Sequence, residues 1–443
     1  MVTINNVFRR TKNMVFSRNS ALFSNAFFLM LNSVITSFLG FIFWNVMARY
    51  FPADQVGIGS TLVTGSMLLG NLSNLGLGLG LIRFVPEDEE MAPHLVNLCF
   101  TITGAVAVVV SLIYLVVMRL TASVKDFMAG NSWYEIYFIL FTAATALSMV
   151  IDQALLAKSS ANYVFWKNFI VCLLKIPIPV LILAKLEGYG IFASTGIAIL
   201  AGIFLSFFFF LPRAYGNYLP KPQISMAHLK LMLSFSFFNY LAHLFSSGPG
   251  LIYPTLVLNV CGSDDSAYFY IAWMMAMVLA VVPTGMSQSL FASGSQKPDE
   301  LQHLARRSLG SSLLLSSLGL GAMLIAGGWF LRIFGNDYYE NGSKLLWILS
   351  ASVIPQCVIS TFLAINQVRK DMKLITAQSG ISAAIALGLG LFLLKKMGLQ
   401  GLAWGYFIAQ LAVAILVHRP LLSALHDSGT FRLSGHSKAS PGA

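Results

Sequence analysis

Long uncharged runs dominate the pattern along this chain. Leu95–Met118, Phe192–Pro212 and Ser308–Leu331 contain no Asp, Glu, Lys or Arg. A helix needs about 20 apolar residues to cross the hydrocarbon core of a bilayer. Barrel strands would be about ten residues long and would alternate in polarity. These runs are longer and apolar on every face, so they predict helices. Only helices or closed barrels satisfy their backbone groups inside lipid. The pattern predicts about twelve spans. They lie near 23–48, 56–82, 95–118, 133–156, 163–185, 191–211, 229–260, 266–291, 308–331, 344–365, 372–394 and 400–418. The fold class is therefore an all-α polytopic membrane protein.

Composition agrees. Hydrophobic residues make up 57% of the 443 and charged residues only 10%, against about 25% charged in soluble domains. The formal net charge of +11 is spread over the ends of apolar runs and forms no single patch, so no nucleic-acid partner is expected. Orientation accounts for it better. With the N-terminus inside, 19 basic residues fall in inner segments and 8 at outer ends, with Lys175 inside a span. That asymmetry places both termini in the cytoplasm. The basic N-terminus (Arg9, Arg10, Lys12, Arg18) precedes an apolar run longer than a signal-peptide core, so the run is read as a retained first span. Cys99, Cys172, Cys261 and Cys357 are far apart, without metal-ligand spacing, and are read as small packing residues.

The longest polar connection between spans, Pro212–Lys230, falls at their midpoint. The parts on either side echo each other. ARYFPADQVGIGS (48–60) matches LNVCGSDDSAYFY (258–270) at an offset of 210, with Asp54 facing Asp264. Ala26-Phe27-Phe28 faces Ser236-Phe237-Phe238 at the same offset, and Pro86-Glu87-Asp88 matches Pro298-Asp299-Glu300. LEGYGIFASTG near the end of the first half resembles KMGLQGLAWG near the end of the second. Six spans per half bring both halves in from the same side, a parallel repeat. Repeat-built transporters bind substrate between their repeats and rock one against the other. The division expected is a cytoplasmic segment over 1–22, a six-helix bundle over 23–211, a cytoplasmic linker over 212–228, a second bundle over 229–418 and a cytoplasmic tail over 419–443.

ARYFPADQVGIGSTL, NLGLGLGLIRFVPE, GSDDSAYFYIAWMMA and ANYVFWKNFIVCLLKIPIPVLI resemble the polysaccharide biosynthesis family of oligosaccharide-lipid flippases. That family belongs to the multidrug/oligosaccharidyl-lipid/polysaccharide exporter superfamily. The resemblance covers nearly the whole chain. It implies two MATE-like six-helix bundles in a V shape, alternating access, and a polyprenyl-diphosphate-linked oligosaccharide as cargo. It also implies a place in the cytoplasmic (inner) membrane, membrane lipids as surroundings, and other polysaccharide-assembly proteins as partners.

Charges within spans are the candidate site residues, since each is costly in lipid and faces a cavity or a partner. Lys175 sits near the middle of span five beside Pro177 and Pro179, which should kink the helix. It reads either as a cavity cation facing a diphosphate or as a snorkelling lysine. Arg49 and Arg83 end spans one and two and read as interfacial anchors or as phosphate contacts, and the resemblance favours Arg83. Asp152 binds a coupling cation or pairs with a lysine. Lys158 and Lys167 read as ordinary positive-inside residues. In span seven, Asn239 and His243 are candidates for sugar contact or inter-helix hydrogen bonding, and Gly248-Pro249-Gly250 should break the helix. The glycines of span two (Gly65, Gly70, Gly76, Gly78, Gly80) read as packing positions. GLGLGL follows no strand, so it is no dinucleotide loop, and no GxxxxGK[ST] loop occurs. No cofactor is expected.

Three functions fall within reach of such a chain. A flippase for a lipid-linked anionic glycan fits the cationic spans. A multidrug or metabolite exporter needs buried carboxylates, for which Asp152 is the one good candidate. A membrane glycosyltransferase needs paired acidic residues on a large loop, and the predicted loops are short.

Overall fold

The computed structural model describes residues 2–120, 132–181, 184–216 and 218–426. The expected tail beyond 426, and Lys125, Arg432 and Lys438 among the tallied cations, lie outside the described residues. So do the side chains of Arg9, Arg10, Lys12 and Arg18.

The described residues are helical almost throughout. The first segments are α1 Val2–Tyr50, α2 Ala53–Asn74, α3 Leu77–Phe84, α4 Ala92–Leu120 and α5 Ser132–Ala157. Then come α6 Ala161–Leu174, α7 Pro177–Leu181, α8 Glu187–Leu205, a π-helical turn at Ser206–Phe210 and α9 Leu211–Tyr215. The remainder are α10 Met226–Val260, α11 Ser263–Leu279, α12 Val281–Gln296, α13 Leu301–Phe334, α14 Asn336–Ala351, α15 Val353–Val368 and α16 Met372–His426.

Nine helices among the described residues are long and apolar enough to cross a membrane, and the bent pair α2–α3 makes ten. Counting α10, and dividing α16 at Gly398, where φ is +63°, gives the twelve segments expected. Outward-facing side chains match a lipid solvent. Phe27, Met30, Val34 and Phe38, at spacings of three and four along α1, are 57–65% exposed. Large contiguous apolar surfaces of this kind are rare on soluble monomers. The chain is a multi-pass membrane protein.

Two expectations about helix breaks need correction. The break falls in span two, where α2 and α3 meet at 51°. Leu75 and Gly76 both adopt left-handed φ, +51° and +78°. Gly76 is therefore a hinge residue and not only a packing position; a Cβ there would also lie 2.8 Å from the Tyr240 Cβ. In α10, by contrast, the helix runs straight through Gly248-Pro249-Gly250. Proline removes one backbone donor, and spanning helices tolerate this where neighbouring groups compensate. Pro254 and Pro420 likewise lie inside continuous helix, whereas other prolines stand at breaks. Single-residue interruptions at Ala280 and Ser352 precede Pro283 and Pro355 by three positions, and α6 stops just before Pro177.

The chain forms two compact units. One contains residues 1–240 and 251–267, the other 241–250 and 268–443. In the first, Leu77, Leu81, Val96, Ile151, Leu155 and Leu211 form a buried core. In the second, Leu290, Ile359, Phe362, Val413 and Leu421 do the same, and Arg306 donates to the carbonyl of Leu425. The cysteines are free thiols, with Cys99, Cys172 and Cys357 buried.

The two echoing segments meet within the first unit. Gly57 packs so closely on the start of α11 that a Cβ would overlap the Ser263 carbonyl oxygen and lie 3.1 Å from the Ala267 nitrogen. Ala267 is the position 210 residues after Gly57. Beside this contact the Thr61 and Ser266 hydroxyls lie 3.1 Å apart. The Ser266 hydroxyl also donates to the Pro254 carbonyl at 3.1 Å. Neither backbone has a flexible side chain to yield, so Gly57→Ala should destabilise the protein by about 1–3 kcal/mol or more, the range of overpacked interiors. A melting curve in detergent would read this as a lowered Tm; an unchanged Tm would contradict the contact.

Candidate functional site

Lys167, the buried charged side chain among the described residues, sits on a helical hairpin. α5 and α6 are joined by a tight turn in which Ser159 adopts φ +53°. Asp152 lies before this turn and Lys167 after it by nearly equal numbers of residues, so antiparallel packing brings them to one level. The Lys167 Nζ is 2.7 Å from Asp152 Oδ1, and its side chain is fully buried while that of Asp152 is 25% exposed. The same ammonium donates to the Ser148 hydroxyl at 2.8 Å and to the Ser148 carbonyl at 3.1 Å. Ser148 and Asp152 are four residues apart, on one face of α5. The lysine stem packs under α8, where a Cβ on Gly202 would lie 3.4 Å from the Lys167 Cγ. Asn168, the next residue, donates to Asn32 of α1 at 3.2 Å.

Lys167 is thus no interfacial positive-inside residue, as the sequence suggested; it lies inside a span. The available signal was its placement opposite Asp152 across the turn at 158–160. Lys158 does sit at that turn, with its Nζ 3.0 Å from Glu89 and 5.6 Å from the centre of the Tyr215 ring.

Lys175 follows the last residue of α6, where the helix gives way before Pro177. It is half-buried, and its Nζ lies 4.8 Å from the centre of the buried Phe43 ring. A cation over an aromatic face is held by the ring quadrupole. Arg49 lies six residues beyond Phe43, about 9 Å along α1 by helical rise, and is exposed at the helix end. Beside it opens a cavity of about 290 Å³ lined by Tyr50, Pro52, Asp54, Gln55, Val180 and Glu187. Its two carboxylates make it unsuited to an anion.

The remaining candidates lie elsewhere. Arg83 ends α3 and pairs with Glu87 at 2.9 Å, both half-exposed. Asn239 is exposed on α10 beside Tyr240, whose hydroxyl donates to the Leu72 carbonyl at 2.9 Å. His243, one turn further on and in the second unit, is also exposed. Within the first unit the structure brings Lys175 onto Phe43, six residues before Arg49 in α1, and Asp152 onto Lys167. It keeps these two pairs apart, since Lys167 and Lys175 are eight residues, about 12 Å, apart along one span.

With this arrangement of helices in hand, the solved structures offer close matches in shape. A multidrug-resistance transporter of the MATE family, MOP superfamily, in its inward-facing conformation superposes with a TM-score of 0.70, covering 89% of this chain and 96% of that one. The chain has a MATE-type fold. The inward closed conformation of the lipid II flippase MurJ gives a TM-score of 0.67, covering 89% of this chain and 90% of that one. An outward-facing MATE-family transporter gives 0.59, over 92% and 96%. Identities are 13%, 13% and 15%, so the likeness is one of MATE-type architecture. No family model and no curated protein matches the sequence.

Proposed function

We propose that this chain is a transporter that flips a polyprenyl-diphosphate-linked oligosaccharide across the cytoplasmic membrane by alternating access. The observation that carries the reading is the MATE-type fold, which this chain has in common with multidrug transporters and a lipid II flippase. Fold alone does not choose between a lipid-linked glycan and a drug; the charges in the spans favour the first. An exporter of cationic drugs needs a carboxylate free to receive them, and the one good candidate, Asp152, already holds the Lys167 ammonium. Lys175, by contrast, forms no ion pair with an acidic side chain among the described residues. Its stabilising contact is an aromatic face, which leaves its positive charge unneutralised for a diphosphate.

In this reading Lys175 makes the main contact to the diphosphate. Arg49 and Arg83 add positive charge at the ends of their spans, and Asn239 and His243 offer hydrogen bonds to sugar hydroxyls. The two six-helix halves, the linker at 212–228 and cytoplasmic termini belong to the same proposal. Export of a drug or metabolite is the second reading. Expression in a pump-deficient strain separates the two: susceptibility to cationic drugs should stay unchanged, and broad resistance would reject the glycan reading.

A further inference from the structure

The Lys167 ammonium occupies a site whose donors would suit a metal cation. Three oxygens of three kinds converge on its Nζ: the Asp152 carboxylate at 2.7 Å, the Ser148 hydroxyl at 2.8 Å and the Ser148 carbonyl at 3.1 Å. Of the three donors of a lysine ammonium, two go to Ser148, and the charge faces the Asp152 carboxylate as an ion pair. Hard monovalent and divalent cations take the same carboxylate, carbonyl and hydroxyl oxygens. Such a cage in a membrane span normally marks an ion or proton pathway. Here one negative and one positive charge are both supplied by the chain.

We propose that Lys167 is a tethered cation that fills an alkali-cation site built by Ser148 and Asp152, so that the native protein takes no sodium or potassium ion there. The ammonium carries the single charge the site requires, and its four-carbon stem, packed under Gly202, fixes it in place. The Asp152 side chain is 25% exposed while its Oδ1 is buried against Lys167, so removal of the ammonium frees a space for an ion at that oxygen. Ion coupling, if the transport cycle uses Asp152, then acts through Lys167 and not through a bound metal. This inference depends on the hairpin geometry alone and stands or falls separately from the identity of the cargo.

Lys167→Met tests it. Methionine keeps most of the stem but is one atom shorter, so it vacates the Nζ position with little loss of packing. The purified full-length variant is melted in sodium, potassium or choline chloride at equal ionic strength, beside the double variant Lys167→Met with Asp152→Asn. Lys167→Met should gain a saturable rise in Tm of roughly 2–4 °C in sodium or potassium over choline. The double variant should lack it, which removes any effect of alkali ions bound elsewhere. An equal response from both variants would overturn the proposal. Should Lys167→Met not be recovered, Lys167→Ala with its own Asp152→Asn partner replaces it. If neither single variant folds in saturating sodium or potassium, the ion does not replace the ammonium and the proposal also fails.

Discussion

Asp152→Ala should lower stability by about 3–5 kcal/mol, the cost of stranding a buried charge by removing its partner. The stranded group would be the Lys167 ammonium, fully buried and left with only the two Ser148 oxygens. Lys167→Ala should cost less, because Asp152 is 25% exposed and can draw on solvent or an added cation. Asp152→Asn with Lys167→Met should recover most of the loss, since neutral side chains of similar volume often replace a buried pair at no cost. Denaturant titration of the four proteins in detergent gives the double-mutant cycle. Equal, small losses for both single variants would show that the pair carries little energy. The exposed pair of Arg83 with Glu87 sets the contrast, because surface pairs contribute about 0–1 kcal/mol.

Lys175→Ala should reduce transport of a diphosphate-linked substrate by roughly tenfold to a hundredfold. A hydrogen bond to a charged group contributes about 1.5–3 kcal/mol, and each 1.4 kcal/mol is a factor of ten. Folding should be little affected, since the cation–π contact to Phe43 contributes about 0.5–2 kcal/mol. Lys175→Arg should keep much of the rate, because a guanidinium also binds phosphate. Full activity in Lys175→Ala with normal protein levels would remove Lys175 from the substrate path.

The spans were legible because hydropathy is averaged over about 20 residues, and single errors cancel in such a window. Their ends were less so. The apolar run beginning at Ser308 starts seven residues inside α13, because His303, Arg306 and Arg307 lie in the first turns of the same helix. Breaks were harder still. Three punctuating residues at 248–250 suggested an interruption that the helix does not make. The sharper one at Leu75–Gly76 rests on left-handed φ values, and nothing marked Gly76 out among the five glycines of span two. Among the site residues, the charge of Lys167 was visible but its burial was not. Burial follows from a hairpin turn that places residues 152 and 167 opposite each other, a relation of spacing across a loop and not of local pattern. Gly57 was legible only as part of a repeat; its contact with Ser263 needed the two repeats folded onto one another.

The central claim, that this chain moves a lipid-linked glycan from one leaflet to the other, is tested most directly by reconstitution. Proteoliposomes carrying the purified protein and a fluorescent polyprenyl-diphosphate oligosaccharide would be exposed to a membrane-impermeant reagent that reacts only with outer-leaflet glycan. The accessible fraction should rise from about one half towards completion with the wild-type protein, rise roughly tenfold to a hundredfold more slowly with Lys175→Ala, and stay near one half in protein-free vesicles. Identical accessibility with and without the wild-type protein would contradict the account.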